Sequence, residues 1–184
     1  MKKILTIVAI IAILGCVIIA LNPFSNTPED KSNGVYSVKD ASVLTNGNLI
    51  ILSDESEIKF TDLPSNVIIC DAFTTIEKND TVLIDGKWAK SVDKNELYSM
   101  ILKMVSNQNP IILVDDTSNI ITSSIGSKYA TGFTPNAEVY CIFYNPLTDT
   151  SHGHSITQDS LEKSLSIAYA WSNEMLEDYI SEII

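Results

Sequence analysis

Apolar positions along this chain fall into two regimes. From Ile4 to Leu21 nothing more polar than Thr6 interrupts the run. From about Val35 onward the apolar residues break into short clusters: "LIIL" (49–52), "VIIC" (67–70), "VLI" (82–84), "IILV" (111–114) and "VYCIFY" (139–144). These clusters are rich in β-branched and aromatic residues and run continuously rather than alternating. Strands covered on both faces read that way.

Two stretches change to helical spacing. "DKNELYSMILKMVSNQ" places Leu97, Ile101, Met104 and Val105 on one face, with Asp93 as N-cap and Glu96 completing a capping box. Asn109-Pro110 ends that helix and starts the next strand. "DSLEKSLSIAYAWSNEMLEDYISEII" places Leu161, Leu165, Ala168, Met175, Leu176, Tyr179 and Ile183 on one stripe, with Asp159 and Glu162 as a second box. Trp171, in "IAYAW", reads as core packing. The unit strand 82–84, helix 93–107, strand 111–114 is a crossover that favours two parallel strands joined right-handedly. Residues 115–138 hold only a weak helix, near Asn119–Ser124. "TNGN" at 45–48 reads as a hairpin turn, "EIKF" as an edge strand and "DGKW" (85–88) as a turn leaving a strand. The expected architecture for residues 35–184 is a three-layer α/β domain with a mostly parallel sheet, Rossmann-like or flavodoxin-like.

The first regime has a different meaning. Eighteen apolar residues span about 27 Å as a helix, close to a hydrocarbon core of roughly 30 Å. A cleavable signal has a shorter core and a small-residue exit, whereas "IIALNPF" offers a poor one. "ILGC" (13–16) looks like a lipobox, but "VIIAL" continues the apolar run beyond Cys16. Residues 4–21 are therefore expected to be an uncleaved transmembrane anchor, with cleavage and lipidation as alternatives. Residues 1–3 would lie in the cytoplasm, and residues 22–34, rich in Asn, Ser and Pro, would form a tether.

Charge sharpens this picture. No acid precedes Glu29, so the remainder carries all 23 acids against ten of the twelve lysines, a formal charge of −13. Lysines before the span and acids after it orient the domain outward. An acidic surface disfavours nucleic acid and anionic headgroups as partners. Arginine is absent, which removes the guanidinium fork used for phosphate recognition. Outside the cell, Asn79-Asp80-Thr81 is a weak glycosylation pattern.

Several strands run into acid: Leu52 towards Asp54, Cys70 into Asp71, Ile84 into Asp85, and Val114 into Asp115 and Asp116. Ligands of open parallel sheets bind beyond those carboxyl ends. Both histidines, His152 and His154, follow the last strand, 139–144, in "DTSHGHSIT" and would share the rim. A metal reading combines His152, His154 and Asp149 with Asp115, Asp85 or Asp71 to hold Zn²⁺ or Mn²⁺. H-x-H puts both rings on one side only in extended backbone, and Gly153 makes that segment pliable. The simpler reading is a polar loop with the acids acting as caps. Cys70 at a strand end could serve as a nucleophile, but no glycine flanks it to form an elbow. Cys70 and Cys141 read as free buried thiols or, outside the cell, as a disulfide. G-x-S-x-G, P-loop and dinucleotide signatures are missing.

These observations favour a membrane-anchored binding or interaction module with no resident cofactor, engaging an envelope or membrane protein. The rival reading is a metal-assisted hydrolase. The apolar chain end, Ile183-Ile184, suits docking either on the domain itself or within a larger assembly.

Overall fold

A computed structural model describes residues 35–38, 47–54, 59–70, 76–116 and 119–184. The expected anchor, its tether and Asp71 lie outside the described residues. No helix among the described residues is long and apolar enough to cross a membrane.

The described chain is a mixed α/β fold with four helices and a six-stranded, mostly parallel sheet. Strands β2 (Leu49–Leu52), β4 (Val67–Cys70), β5 (Thr81–Asp85), β6 (Ile111–Val114), β7 (Val139–Asn145) and β8 (Thr150–Ile156) lie in the order β4-β2-β5-β6-β7-β8. The first four are mutually parallel. β7 runs antiparallel to both β6 and β8, so β8 has the same sense as the first four. β7 enters the sheet at the end where β6 leaves it, with Val139 opposite Val114, so residues 115–138 do not cross over to a parallel strand. A second, two-stranded parallel sheet pairs β1 (Val35–Ser37) with β3 (Lys59–Thr61). Lys59 and Phe60 of "EIKF" thus lie in an edge strand, of this pair. β2 has parallel partners on both sides, β4 and β5, so "TNGN" does not turn a hairpin into it.

Burial explains the continuous apolar runs. Every residue of β2, β5 and β6 is buried. Alternate side chains enter two cores, one on each face of the sheet. The first takes Ile50, Leu52, Val82, Ile84, Ile111 and Leu113, covered by helices α1 (Gly86–Ser91), α2 (Lys94–Ser106) and α3 (Ile120–Tyr129). The second takes Leu49, Ile51, Leu83, Ile112, Val114 and Cys141, covered by α4 (Leu161–Ile183) together with Val38 and Phe60.

The helices test the spacing argument. Leu97, Ile101, Met104 and Val105 are all buried, and Asp93 accepts from the backbone N–H of Asn95 at 2.9 Å and of Glu96 at 3.1 Å. In α4 the cap is Ser160 rather than Asp159, which instead pairs with Lys163 at 3.0 Å. Leu165, Ala168, Leu176 and Tyr179 are buried as the stripe requires, but Ile183 is 51% exposed. "DGKW" opens α1 instead of a turn, with Asp85 as its cap and Trp88 buried in the first core. α3 runs further than the weak signal near 119–124 and is broken at Gly126, where φ is 70°.

The lower end of the sheet is tied by Asp80. Its carboxylate accepts from the backbone and side-chain nitrogens of Asn48, at 3.0 and 3.1 Å, and from the backbone of Glu77 at 2.8 Å. The Asn79-Asp80-Thr81 pattern is thus built into the start of β5, with Asp80 and Thr81 buried. Asp80→Ala strands those donors and should cost about 2–3 kcal/mol, read as a lowered midpoint of urea unfolding followed by tryptophan emission.

Candidate functional site

Strand order reverses beside β2: the chain passes from β2 outward to β4 and then back across it to β5. In open parallel sheets the crevice beyond such a reversal is the favoured ligand position. Register aligns Leu52 with Cys70 and Ile84, and Ile84 with Leu113, so Asp54, Asp85 and Asp115 do share one rim.

What stands there is a set of caps. The Ser53 hydroxyl, fully buried, donates to Asp85 Oδ2 at 3.1 Å. The other oxygen of Asp85 accepts the Lys87 backbone N–H at 2.9 Å and closes the start of α1. Asp116 does the same for α3, accepting from the backbone of Ile120, Ile121 and Thr122 and from the Thr122 hydroxyl. Asn119, at the formal N-cap, has a left-handed backbone and offers no side-chain bond, so Asp116 substitutes for it. Both helix starts at the rim are therefore already occupied by the chain's own carboxylates, and anion binding there is disfavoured.

Gly86 permits this arrangement. A Cβ there would meet the Asp115 carbonyl oxygen at 2.5 Å. The loop after β6 thus packs directly on the end of β5, with Asp115 itself at a φ of 56°. Burial pushes the Asp85 carboxyl above its ordinary value of 3.8, and the neighbouring Asp115 charge adds to the rise, while the Lys87 and Ser53 bonds oppose it. The sequence marked Asp85 but not Ser53 or Gly86. Their only signal was polar or small residues directly after apolar strands.

The histidines are elsewhere. "TSHGHSI" is not a loop beyond the last strand but β8 itself, the outer antiparallel strand. Its alternation sorts the side chains by face. Ser151, Gly153 and Ser155 meet the segment after α3: Ser151 donates to the Tyr129 carbonyl at 3.0 Å and Ser155 to that of Gly132 at 3.0 Å. Thr131 answers by donating to the Ser151 carbonyl at 3.0 Å, and Tyr140 donates to the Thr131 carbonyl at 2.6 Å. Gly153 is the point of closest approach. A Cβ there would overlap the Thr131 carbonyl oxygen at 1.7 Å. Gly153 serves close packing, not pliability.

His152 and His154 project to the other face, beside α4. His154 stacks on Trp171 with ring centroids 6.2 Å apart and planes 21° apart. Thus Trp171 is only partly a core residue. Asp149, in the turn between β7 and β8, accepts from the Tyr144 hydroxyl at 2.6 Å and pairs with Lys128 at 3.0 Å. Those two bonds hold the Asp149 carboxyl below its ordinary value. Lys128 also lies over the rings of Tyr129 and Tyr144.

The structure does not gather the expected metal set. The Asp115 backbone N–H donates to the Glu138 carbonyl at one end of the sheet, and Asp149 accepts from Tyr144 towards the other. Six residues of β7 separate those levels, about 20 Å along the strand. Among the described residues no group of three or more His, Cys, Asp and Glu side chains could hold an ion. Cys70 and Cys141 are both free. Four strand spacings lie between them, about 19 Å, far beyond the span of roughly 4.4–6.8 Å that a disulfide requires. Cys141 is buried in the second core, and Cys70 packs against the first.

No family model, no curated protein and no solved structure matches this chain.

Two outcomes follow from this geometry. Gly153→Ala forces the crossing segment away from β8 and should destabilise the domain by about 1–3 kcal/mol, measured by chaotrope unfolding. Because the Asp85 pKa is raised on folding, its protonated form favours the folded state. That contribution is complete below pH 3.8 and is lost as pH rises through the folded pKa. Asp85→Asn keeps the cap without a buried charge. Its stability relative to wild type should therefore climb with pH above 3.8, as measured by unfolding at a series of pH values.

Proposed function

We propose that this chain is a single-pass membrane protein. In this reading residues 4–21 span the bilayer and residues 22–34 tether a three-layer, doubly wound α/β domain outside it. The domain acts as a binding module for an envelope or membrane protein. The apolar run, the lysines before it and the acids after it support the membrane assignment. A tether of that length reaches at most about 45 Å when fully extended, which keeps any partner close to the membrane.

One observation carries the interaction reading. β4 lies at the margin of the main sheet, with β2 as its one partner strand among the described residues. It is apolar throughout, yet Ile68 is 43% exposed and Leu63, just before the strand, is 49% exposed. An apolar strand at a sheet margin is a ready surface for pairing with another chain unless something covers it. The opposite margin, β8, is by contrast polar and crossed by its own strap. The hydrolase alternative draws no support from the geometry. Its histidines lie on the face beside α4, and its two outer acids stand at opposite ends of the sheet.

A photo-crosslinking residue at position 68 of the full-length protein in its native membranes should capture a membrane or envelope protein. The same residue at Tyr98, exposed on α2, should not. Equal yields from both positions, or none at 68, would refute the reading. A C-terminal reporter that functions only in the cytoplasm should stay silent, and an active one overturns the orientation.

A further inference from the structure

The extended backbone of β8 answers what H-x-H alone leaves open. Residues two apart on a strand project side chains to the same face with Cα atoms about 6.6–6.8 Å apart. His152 and His154 occupy such positions, both exposed, in register with Phe143 and Cys141 of β7. Two imidazoles at this spacing can close on one ion at metal–nitrogen distances of about 2.0–2.1 Å.

The pair is also held in place. The backbone between the rings is fixed from behind by the crossing segment, which packs on Gly153 and bonds to Ser151 and Ser155. His154 is oriented by its stack on Trp171. His152 Nε2 has a long contact of 3.3 Å to the Thr150 hydroxyl, exposed and easily exchanged for a metal.

We propose that His152 and His154 form a two-point chelate on the outer strand for a late first-row divalent cation, Ni²⁺, Cu²⁺ or Zn²⁺, the ions that imidazole nitrogen suits. The absence of a third convergent His, Cys, Asp or Glu among the described residues makes this an open site, completed by water. Closed structural zinc sites use four protein ligands, so an exchangeable ion is expected here. Cys141 lies opposite His154 but its side chain is buried in the second core. The site keeps only the two histidines of the hydrolase constellation, since Asp149 is engaged by Tyr144 and Lys128.

Trp171 supplies the readout. The chain has two tryptophans, and Trp88 is buried in the core on the other face of the sheet. The full-length protein in detergent is titrated with Ni²⁺, whose unpaired electrons quench a nearby indole. Emission should fall along a saturable one-site curve, and Zn²⁺ should restore it by displacement. His152→Ala leaves the His154–Trp171 stack intact and should weaken Ni²⁺ binding about tenfold or more, as loss of one arm of a chelate does. His154→Ala should do the same, with each variant normalised to its own metal-free emission. Both positions are exposed, so the variants are expected to unfold at the wild-type urea midpoint. Three results overturn the proposal: no quenching up to about 1 mM Ni²⁺, a single variant that binds as tightly as wild type, or undiminished quenching in the double variant.

Discussion

Complete burial of three adjacent strands is the constraint on which the rest of this domain depends. β2, β5 and β6 expose no residue, so each face of the sheet needs its own cover. Parallel strands in turn need crossovers long enough to return, and those crossovers supply the cover. α1 and α2 lie between β5 and β6 in the chain, and both pack on the first face. The second face has no such helix among the described crossovers. It waits for α4, the last element, whose buried stripe closes the core against Ile112, Val139 and Cys141.

The two margins of the sheet are treated differently. β8 is polar and carries small residues on one face so that the segment after α3 can cross it at carbonyl contact with Gly153. Its other face is left to the histidines and Trp171. β4 is apolar, half exposed and unpaired on its outer side among the described residues. This asymmetry underlies both proposals: an apolar margin suited to another chain, and a polar margin suited to an ion.

Polar residues at the carboxyl ends of the strands mostly serve the fold. Asp85 and Asp116 each satisfy backbone N–H groups at a helix start that would otherwise be open. Ser53 is consumed by Asp85. Those two carboxylates are thereby engaged by the chain's own helix starts.

The sequence by itself determined the short buried strands, the buried face of α2, much of the α4 stripe and the acidic balance, because each depends on local periodicity or composition. It also placed Asp54, Asp85 and Asp115 on one rim, since parallel strands must end together. Tertiary structure alone decided the sense of β7, because an apolar run reads the same in either direction. It alone turned "SHGHS" from loop to strand: alternation of small residues with histidines has a meaning only once the 129–134 segment crosses one face. It separated Cys70 from Cys141 and Asp115 from Asp149, distances set by strand order, which no local spacing encodes.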